Sequence, residues 1–130
     1  MSAWKQLERV VAAVLGGVRS WETDHDVLVV TDDLFARKDV LSRAPLHGDE
    51  TGPELLWLAK AGAIELASIE VKNLKGPTVA QLEAFLYFNR QKADRDGVRW
   101  NALVVKRKAG VGRKTMPLLV IPLELFDGSH

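Results

Sequence analysis

The chain has 130 residues, of which 47% are hydrophobic and 27% charged, and this suits one folded domain with a substantial core. It has no cysteine, which excludes disulfides and cysteine-ligated zinc, and no apolar run reaches the roughly 20 residues that span a bilayer. The formal net charge of +1 argues against a polycationic DNA-coating protein but is compatible with a local basic surface. We therefore expect a single domain over residues 1–130, cytoplasmic and without a membrane partner.

An amphipathic helix is predicted over residues 3–20, since apolar side chains recur there at steps of three and four. Glu8 lies beside the apolar stripe of this helix. One interpretation of Glu8 is a solvated helix charge, and the other is an acid with a function. The residues around it leave both interpretations open.

A buried strand is predicted over residues 27–31, where a continuous apolar run follows an acidic, turn-like segment at residues 22–26. Asp32 and Asp33 end this run. Two aspartates after a strand can bind a metal, but Asp is also a common turn and capping residue, and we favour that structural role. Two segments follow: a short helix over residues 34–41 and a polar loop over residues 42–52.

The pattern PELLWLAKAGAIELASIEVKN, residues 53–73, predicts a β-hairpin. The apolar run 55–58 would form its first strand, residues 60–62 its turn, and residues 64–72 its longer second strand. Because side chains alternate along a strand, Glu70 and Lys72 would point to the same side.

Glu70 and Lys72 are a carboxylate and an ammonium at the end of an otherwise apolar strand. Such groups are costly to remove from water unless they are paired or bound to a metal. Glu54, at the start of the partner strand, would be brought near Glu70 by the hairpin. This cluster is the candidate functional site.

A second helix is predicted over residues 78–92, beginning with a capping box formed by Thr78 and Gln81. Placed between two strands, this helix would be a right-handed crossover. The whole order predicts an α/β sandwich in which helices flank a mixed sheet. The remaining predicted elements are strands over residues 100–106 and 116–121 and a short helix over residues 122–126.

A basic loop joins the last two predicted strands. Residues 106–114 carry five positive charges and no acid, around two glycines. The loop is either a charged edge that keeps the protein in solution or a clamp for phosphate groups. A second basic group, just before the candidate site, comprises Arg37, Lys38 and Arg43.

Several enzyme classes find no support in the sequence. His25 and His47 are isolated from any second ligand at a metal-binding spacing, which argues against a zinc site or an HNH-type nuclease. The sequence also lacks a Gly-rich phosphate loop and a Gly-x-Ser-x-Gly motif, so neither an NTPase nor a serine hydrolase is indicated.

Two motifs in the predicted hairpin resemble the PD-(D/E)XK nuclease family: the pair Pro53-Glu54 and the triplet Glu70-Val71-Lys72. With the asparagine that follows, the second motif reads EVKN, which is similar to Holliday junction resolvases of the phage and archaeal type. The resemblance implies a restriction-endonuclease-like fold. It also implies a divalent-metal-dependent endodeoxyribonuclease that cleaves branched DNA such as Holliday junctions.

The same resemblance implies a Mg²⁺ or Mn²⁺ site. Its ligands would be the carboxylates of Glu54 and Glu70, the carbonyl of Val71 and a glutamate on the first helix, Glu8. The family has aspartate where this chain has Glu54, so Asp49 is a rival for that position. These oxygen donors are the kind that hard divalent cations prefer.

The resemblance further implies that Lys72 acts in catalysis and that Gln81 lies near the active site, although the capping box alone explains Gln81. A four-way junction has two-fold symmetry, so a homodimer is expected. The DNA-binding residues would be Asn73, Lys75, Lys106, Arg107, Lys108, Arg113 and Lys114.

Two other functions remain open. The departure at Glu54 favours an inactive nucleic-acid-binding module of the same fold. The other possibility is an interaction domain in which Glu70 and Lys72 form a surface ion pair.

Overall fold

The computed structural model describes residues 3–20, 22–31, 51–110 and 112–126. Within these ranges lie the helices α1 (Ala3–Leu15), α2 (Gly52–Lys60) and α3 (Val79–Arg95). The strands are β1 (Val18–Arg19), β2 (Val27–Val30), β3 (Leu66–Leu74), β4 (Trp100–Arg107) and β5 (Leu118–Val120), and a 3₁₀ helix follows at Leu123–Phe126. None of the helices within these ranges is long and apolar enough to cross a bilayer.

The strands form one mixed sheet in the order β1-β2-β3-β4-β5. The pairs β1–β2, β2–β3 and β4–β5 are antiparallel, and β3–β4 is parallel. The parallel pair requires a crossover, and α3 supplies it. The predicted α/β architecture, a mixed sheet with flanking helices and a crossover after residue 77, is therefore confirmed.

The start of α3 is fixed by the predicted capping box. Thr78 Oγ1 accepts a hydrogen bond from the Gln81 amide at 3.2 Å, and Gln81 Oε1 accepts one from the Thr78 amide at 2.9 Å. Two amide donors that the first turn would leave unpaired are thereby satisfied. The helix runs three residues past the predicted end at 92, to Arg95, and Asp96 is its C-cap.

Apolar side chains cover both faces of the sheet, because successive strand residues point in opposite directions. On one face Leu7 and Val11 of α1 pack against Val27, Ile69 and other members of the first cluster. On the other face a second cluster joins the sheet to α2 and α3. Its fully buried members include Leu28, Leu55, Leu66 and Val98.

The predicted hairpin over residues 53–73 is wrong in its first half, because residues 52–60 form α2. The Thr51 hydroxyl caps this helix by accepting from the Glu54 amide, and a proline stands in its first turn. Leu55 is buried whereas Trp57 is 69% exposed, and these two faces belong to one amphipathic helix. The second half of the hairpin is correct as a strand, β3, but that strand pairs with β2 and β4.

The first helix is shorter than predicted. It ends at Leu15, where Gly16 adopts a φ of 69°, and the residues that follow at 18–19 join the sheet as β1. Gly17 lies so close to β2 that an added Cβ would stand 2.7 Å from the carbonyl oxygen of Leu28. A side chain at that position would force α1 and β2 apart.

The other predicted boundaries hold to within two residues. Strands were expected over residues 27–31, 100–106 and 116–121, and each is present in the sheet. The last predicted helix is a 3₁₀ turn. The predicted helix over residues 34–41, most of the loop over 42–52, and the residues Asp32, Asp33, Arg37, Lys38, Arg43, His47 and Asp49 lie outside the described residues.

Candidate active site

The second half of β3 carries the E-x-K triplet. Glu70 and Lys72 point to the face covered by α3, as the strand alternation predicted, and Val71 packs in the cluster under α1. Glu70 is only 9% exposed. Glu70 and Lys72 therefore form an ion pair whose carboxylate is buried, rather than a solvated surface pair.

Two lysines hold the Glu70 carboxylate. Lys72 Nζ lies 3.4 Å from Glu70 Oε1, and Lys92 Nζ, which reaches across from α3, lies 3.1 Å from Oε2. Lys92 also donates to the carbonyl oxygen of Asp24 at 2.8 Å. Lys72 stands over the ring of Phe85, 5.0 Å from its centroid, so its position is fixed by a cation–π contact as well.

A third acid, Asp26, meets β3 where β2 begins. The β2–β3 ladder ends at the pair Val27 and Ile69. The next backbone groups of β3 on that side belong to Val71, because alternate residues of an antiparallel ladder direct both groups to the same neighbour. The Val71 amide donates to Asp26 Oδ2 at 2.8 Å, so the carboxylate stands where a strand partner would otherwise be.

Glu8 approaches this place from α1. It is only 5% exposed, and its Oε1 lies 3.4 Å from Arg19 Nε of β1. The solvated interpretation of Glu8 is therefore wrong. Because α1 covers the face that contains Val71 and α3 covers the face that contains Glu70, acids from both faces converge on the start of β2.

The electrostatics show that these acids influence one another. Burial raises the pKa of Asp26; the hydrogen bond from Val71 opposes this, and the charge of Glu70 adds to it. Burial also raises the pKa of Glu8, with a further contribution from Asp26, and Arg19 opposes both. The charges of Lys92 and Lys72 oppose that of Glu70 at Asp26, and a cation bound beside these buried acids would further favour their ionised forms.

As the side chains stand, no group of three or more His, Asp or Glu residues in the described part of the chain is arranged to hold a metal ion. Arg19 engages Glu8, and two lysines engage Glu70. The donor set still has the right chemistry for Mg²⁺ or Mn²⁺, since it consists of carboxylates and a backbone carbonyl of β3. A metal would have to displace cationic side chains from these acids.

Two residues proposed from the sequence are placed elsewhere. Glu54 is exposed in the first turn of α2, so the hairpin that was to bring it to Glu70 does not exist. Gln81 is exposed at the start of α3, and its side chain is used in the capping box. The carboxylate that contacts β3 on the side of β2 is that of Asp26, through the Val71 amide.

Two residues of the site escaped the sequence analysis. Asp26 was treated as part of a turn, although an acid directly before a buried strand is well placed to lie at a sheet edge. Lys92 carried no local signal, because its contact with Glu70 depends on how α3 crosses the sheet.

Most of the predicted DNA-binding residues line one groove, with a volume of about 540 Å³, at the ends of β3 and β4. Asn73 pairs with Lys106 in the parallel ladder, which brings the end of β3 to the basic loop. Lys75 lies beyond β3 and is exposed. The groove is lined by Asn73, Lys106, Arg107, Lys108, Ala109, Arg113, Lys114 and Thr115.

The fold is α/β, and the site comprises Glu8 paired with Arg19, Asp26 bound to the Val71 amide, and Glu70 paired with Lys72 and Lys92. No family model matches the chain, and neither a curated protein nor a solved structure matches it.

Proposed function

We propose that this chain is a divalent-metal-dependent endodeoxyribonuclease of the PD-(D/E)XK type, with a restriction-endonuclease-like fold. The observation that supports this best is the 2.8 Å hydrogen bond from Val71 to Asp26, which joins an acid of one strand to the E-x-K triplet of the next. Asp26 replaces Glu54 in the proposal as the first acid. The proposed substrate is branched DNA such as a Holliday junction.

The proposed metal ligands are Asp26, Glu70 and the carbonyl of Val71, with Glu8 completing the set. The ladder geometry directs the Val71 carbonyl, like its amide, toward the start of β2. A bound Mg²⁺ or Mn²⁺ supplies charge neutralisation at the phosphate and lowers the pKa of a bound water.

Lys72 is the proposed catalytic residue. An ammonium group has three N–H donors, and Glu70 engages one of them in the described part of the chain. The Phe85 ring limits the directions that the ammonium can take. The other donors can hold a water or a phosphate oxygen, which orients the attack and stabilises the charge that develops on the phosphate.

The basic groove is the proposed contact for the DNA backbone. Asn73 lies three residues beyond Glu70 on β3, which corresponds to about 10 Å at the usual rise of a strand. Phosphates next to the scissile one would therefore reach the basic loop. These contacts would fix the DNA on the protein without reading its sequence.

The test is a cleavage assay of the purified chain on a synthetic four-way junction and on linear duplex of the same sequence, with Mg²⁺, with Mn²⁺ and with EDTA. We expect metal-dependent cuts at symmetric positions of the junction and little cutting of the duplex. Symmetric cleavage would also support the proposed homodimer. Equal cutting of both DNAs would support a nuclease but would exclude a preference for junctions.

The alternative function is an inactive nucleic-acid-binding module of the same fold. It is favoured by the cations that already engage Glu8 and Glu70. Binding of junction DNA without cleavage in either metal would select this alternative. If the chain neither binds nor cleaves the junction, an interaction domain is the function that remains.

A further inference from the structure

A buried polar network lies directly behind the candidate active site. Its centre is His25, whose side chain has no exposed surface. His25 Nδ1 lies 2.7 Å from Ser68 Oγ on β3, and its Nε2 lies 2.8 Å from Asp96 Oδ2 at the end of α3. The ring therefore spans the gap between a strand and a helix that both contribute to the site.

The protons in this network can be assigned from Asn89. Its Nδ2 donates to the carbonyl oxygens of Ser68 at 2.9 Å and Ala102 at 3.3 Å, which fixes the orientation of the amide. Asn89 Oδ1 must then accept from Ser68 Oγ, which lies 2.8 Å away. A serine hydroxyl has one proton, so Ser68 must accept from His25 Nδ1.

This direction excludes a hydrolytic role for the serine. The order serine, histidine and aspartate resembles a nucleophilic triad, but a triad histidine accepts the serine proton. Here the histidine donates instead, and Ser68 is fully buried. The network is therefore a structural clamp rather than a second active site.

The other end of the clamp is also fixed. Asp96 is the C-cap of α3, and Arg95 Nη2 lies 2.7 Å from its Oδ2. Arg95, and to a lesser extent His25, lowers the pKa of Asp96 to about 2. The ionised carboxylate can only accept, so Nε2 donates to it, and a ring that donates from both nitrogens is an imidazolium.

We propose that His25 is a positioning residue for Asp26. The two residues are adjacent, and the clamped ring fixes the backbone from which the Asp26 side chain extends. The His25 amide also donates to Thr23 Oγ1 at 3.1 Å, which leaves the segment before β2 little freedom. The clamp thereby holds the Asp26 carboxylate against the Val71 amide.

The importance of this position for metal binding rests on the proposed function, but the position itself can be measured without metal. The readout is amide hydrogen exchange of Val71 in the metal-free protein, relative to the Ala67 amide on the same strand. We expect the Val71 amide to exchange about tenfold faster relative to Ala67 both in His25→Ala and in Asp26→Ala. In the double variant we expect no further increase, because both changes remove the same hydrogen bond.

The matched control is Val98→Ala, which opens a cavity in the second apolar cluster without removing any side-chain hydrogen bond of the network. It should speed Val71 and Ala67 alike. If His25→Ala does not fold, Ser68→Ala and Asp96→Asn each weaken one end of the clamp and should raise the Val71 to Ala67 ratio about threefold. An unchanged ratio in the variants that fold would overturn the proposal.

A parallel titration with Mn²⁺ separates the two proposals. We expect His25→Ala to weaken Mn²⁺ binding by about tenfold, the usual lower range for residues that orient a ligand. If the unaltered protein binds no Mn²⁺, the proposed metal-dependent function is wrong. The ratio of Val71 to Ala67 exchange rates still tests the role of His25. Weakened exchange protection with unchanged Mn²⁺ affinity would remove Asp26 from the metal site and leave His25 as its positioning residue.

Discussion

Asp26 and Val71 meet at the point where one strand begins and its neighbour continues. The carboxylate of Asp26 accepts from the Val71 amide at 2.8 Å, in the position that the next residue of β2 would occupy in a longer ladder. The acid that we propose as the first metal ligand is thus held by a main-chain donor of the strand that carries Glu70.

The first prediction concerns the identity of the acids. Asp26→Asn and Glu70→Gln should each lower metal-dependent cleavage by at least about a hundredfold, because each removes an anionic ligand. DNA binding should persist or improve, since repulsion of the phosphates is reduced. Glu54→Gln is the matched control and should stay within about threefold of the unaltered rate. Loss of cleavage in the control with full activity in Asp26→Asn would reverse the assignment.

The second prediction concerns pH and stability. The pKa values of Asp26 and Glu8 are raised in the folded protein, chiefly by burial. Their contribution to stability is therefore present below the ordinary carboxyl pKa and is lost as pH rises through the raised folded values. Asp26→Asn should then stabilise the metal-free protein at neutral pH by about 0.5–2 kcal/mol, the usual scale of a stabilising substitution.

The check is urea unfolding of both proteins over a range of pH. The gain should shrink as the solution becomes acidic enough to protonate Asp26 in the unaltered protein. Asp96 behaves oppositely: its pKa is lowered to about 2, so its contribution is present above the ordinary value of 3.8 and is lost as pH falls toward 2. A gain that did not depend on pH would argue against a charge effect at Asp26.

The third prediction distinguishes the two lysines. Lys92 holds an oxygen of Glu70 that a metal would need, so Lys92→Met should tighten Mn²⁺ binding by about tenfold. Lys72→Met should reduce cleavage by at least about a hundredfold while Mn²⁺ still binds, because the role we propose for this lysine is to hold the water or the phosphate. Calorimetry and cleavage rates measure the two effects. Weaker Mn²⁺ binding in Lys92→Met would mean that Lys92 supports the site.

The fourth prediction concerns the basic groove. Replacing Arg113 and Lys114 by alanine should weaken binding to all DNA sequences and lower the slope of log K against log salt by roughly one to two. Lys60→Ala is the control, since Lys60 ends α2 beside Gly97, at the opposite ends of β3 and β4. Unchanged slope and affinity in the double variant would identify the loop as a charged edge.

The sequence predicted β3 and its crossover well because their signals are local. The largely apolar run before Glu70 and the capping box of Thr78 and Gln81 both act within a few residues. The run 55–58 was misassigned because a short apolar run fits a strand or a buried helix equally well. Its flanks carried the deciding signal: Thr51 and Glu54 stand three residues apart around a proline, as at the start of many helices.

From local pattern alone, the candidate site was predictable only in the part that lies on one strand, and Glu8 was proposed only through the family resemblance. Glu70 and Lys72 are neighbours by alternation, and the sequence alone shows this. Asp26 and Lys92 join them through strand pairing and helix crossing, which bring together residues far apart in the chain. The basic loop was predicted from composition, but its closeness to Asn73 depends on the parallel register.

Gly17 couples the position of α1 to that of the sheet. Gly17 rests against the Leu28 carbonyl, where an added methyl group would push the end of the helix away from the sheet. Glu8 lies seven residues before the end of α1 at Leu15, or about 10 Å along the axis. A small tilt of α1 about Gly17 would displace the Glu8 carboxylate relative to Asp26. A substitution at Gly17 would therefore disturb the candidate site although Gly17 contributes no side chain to it.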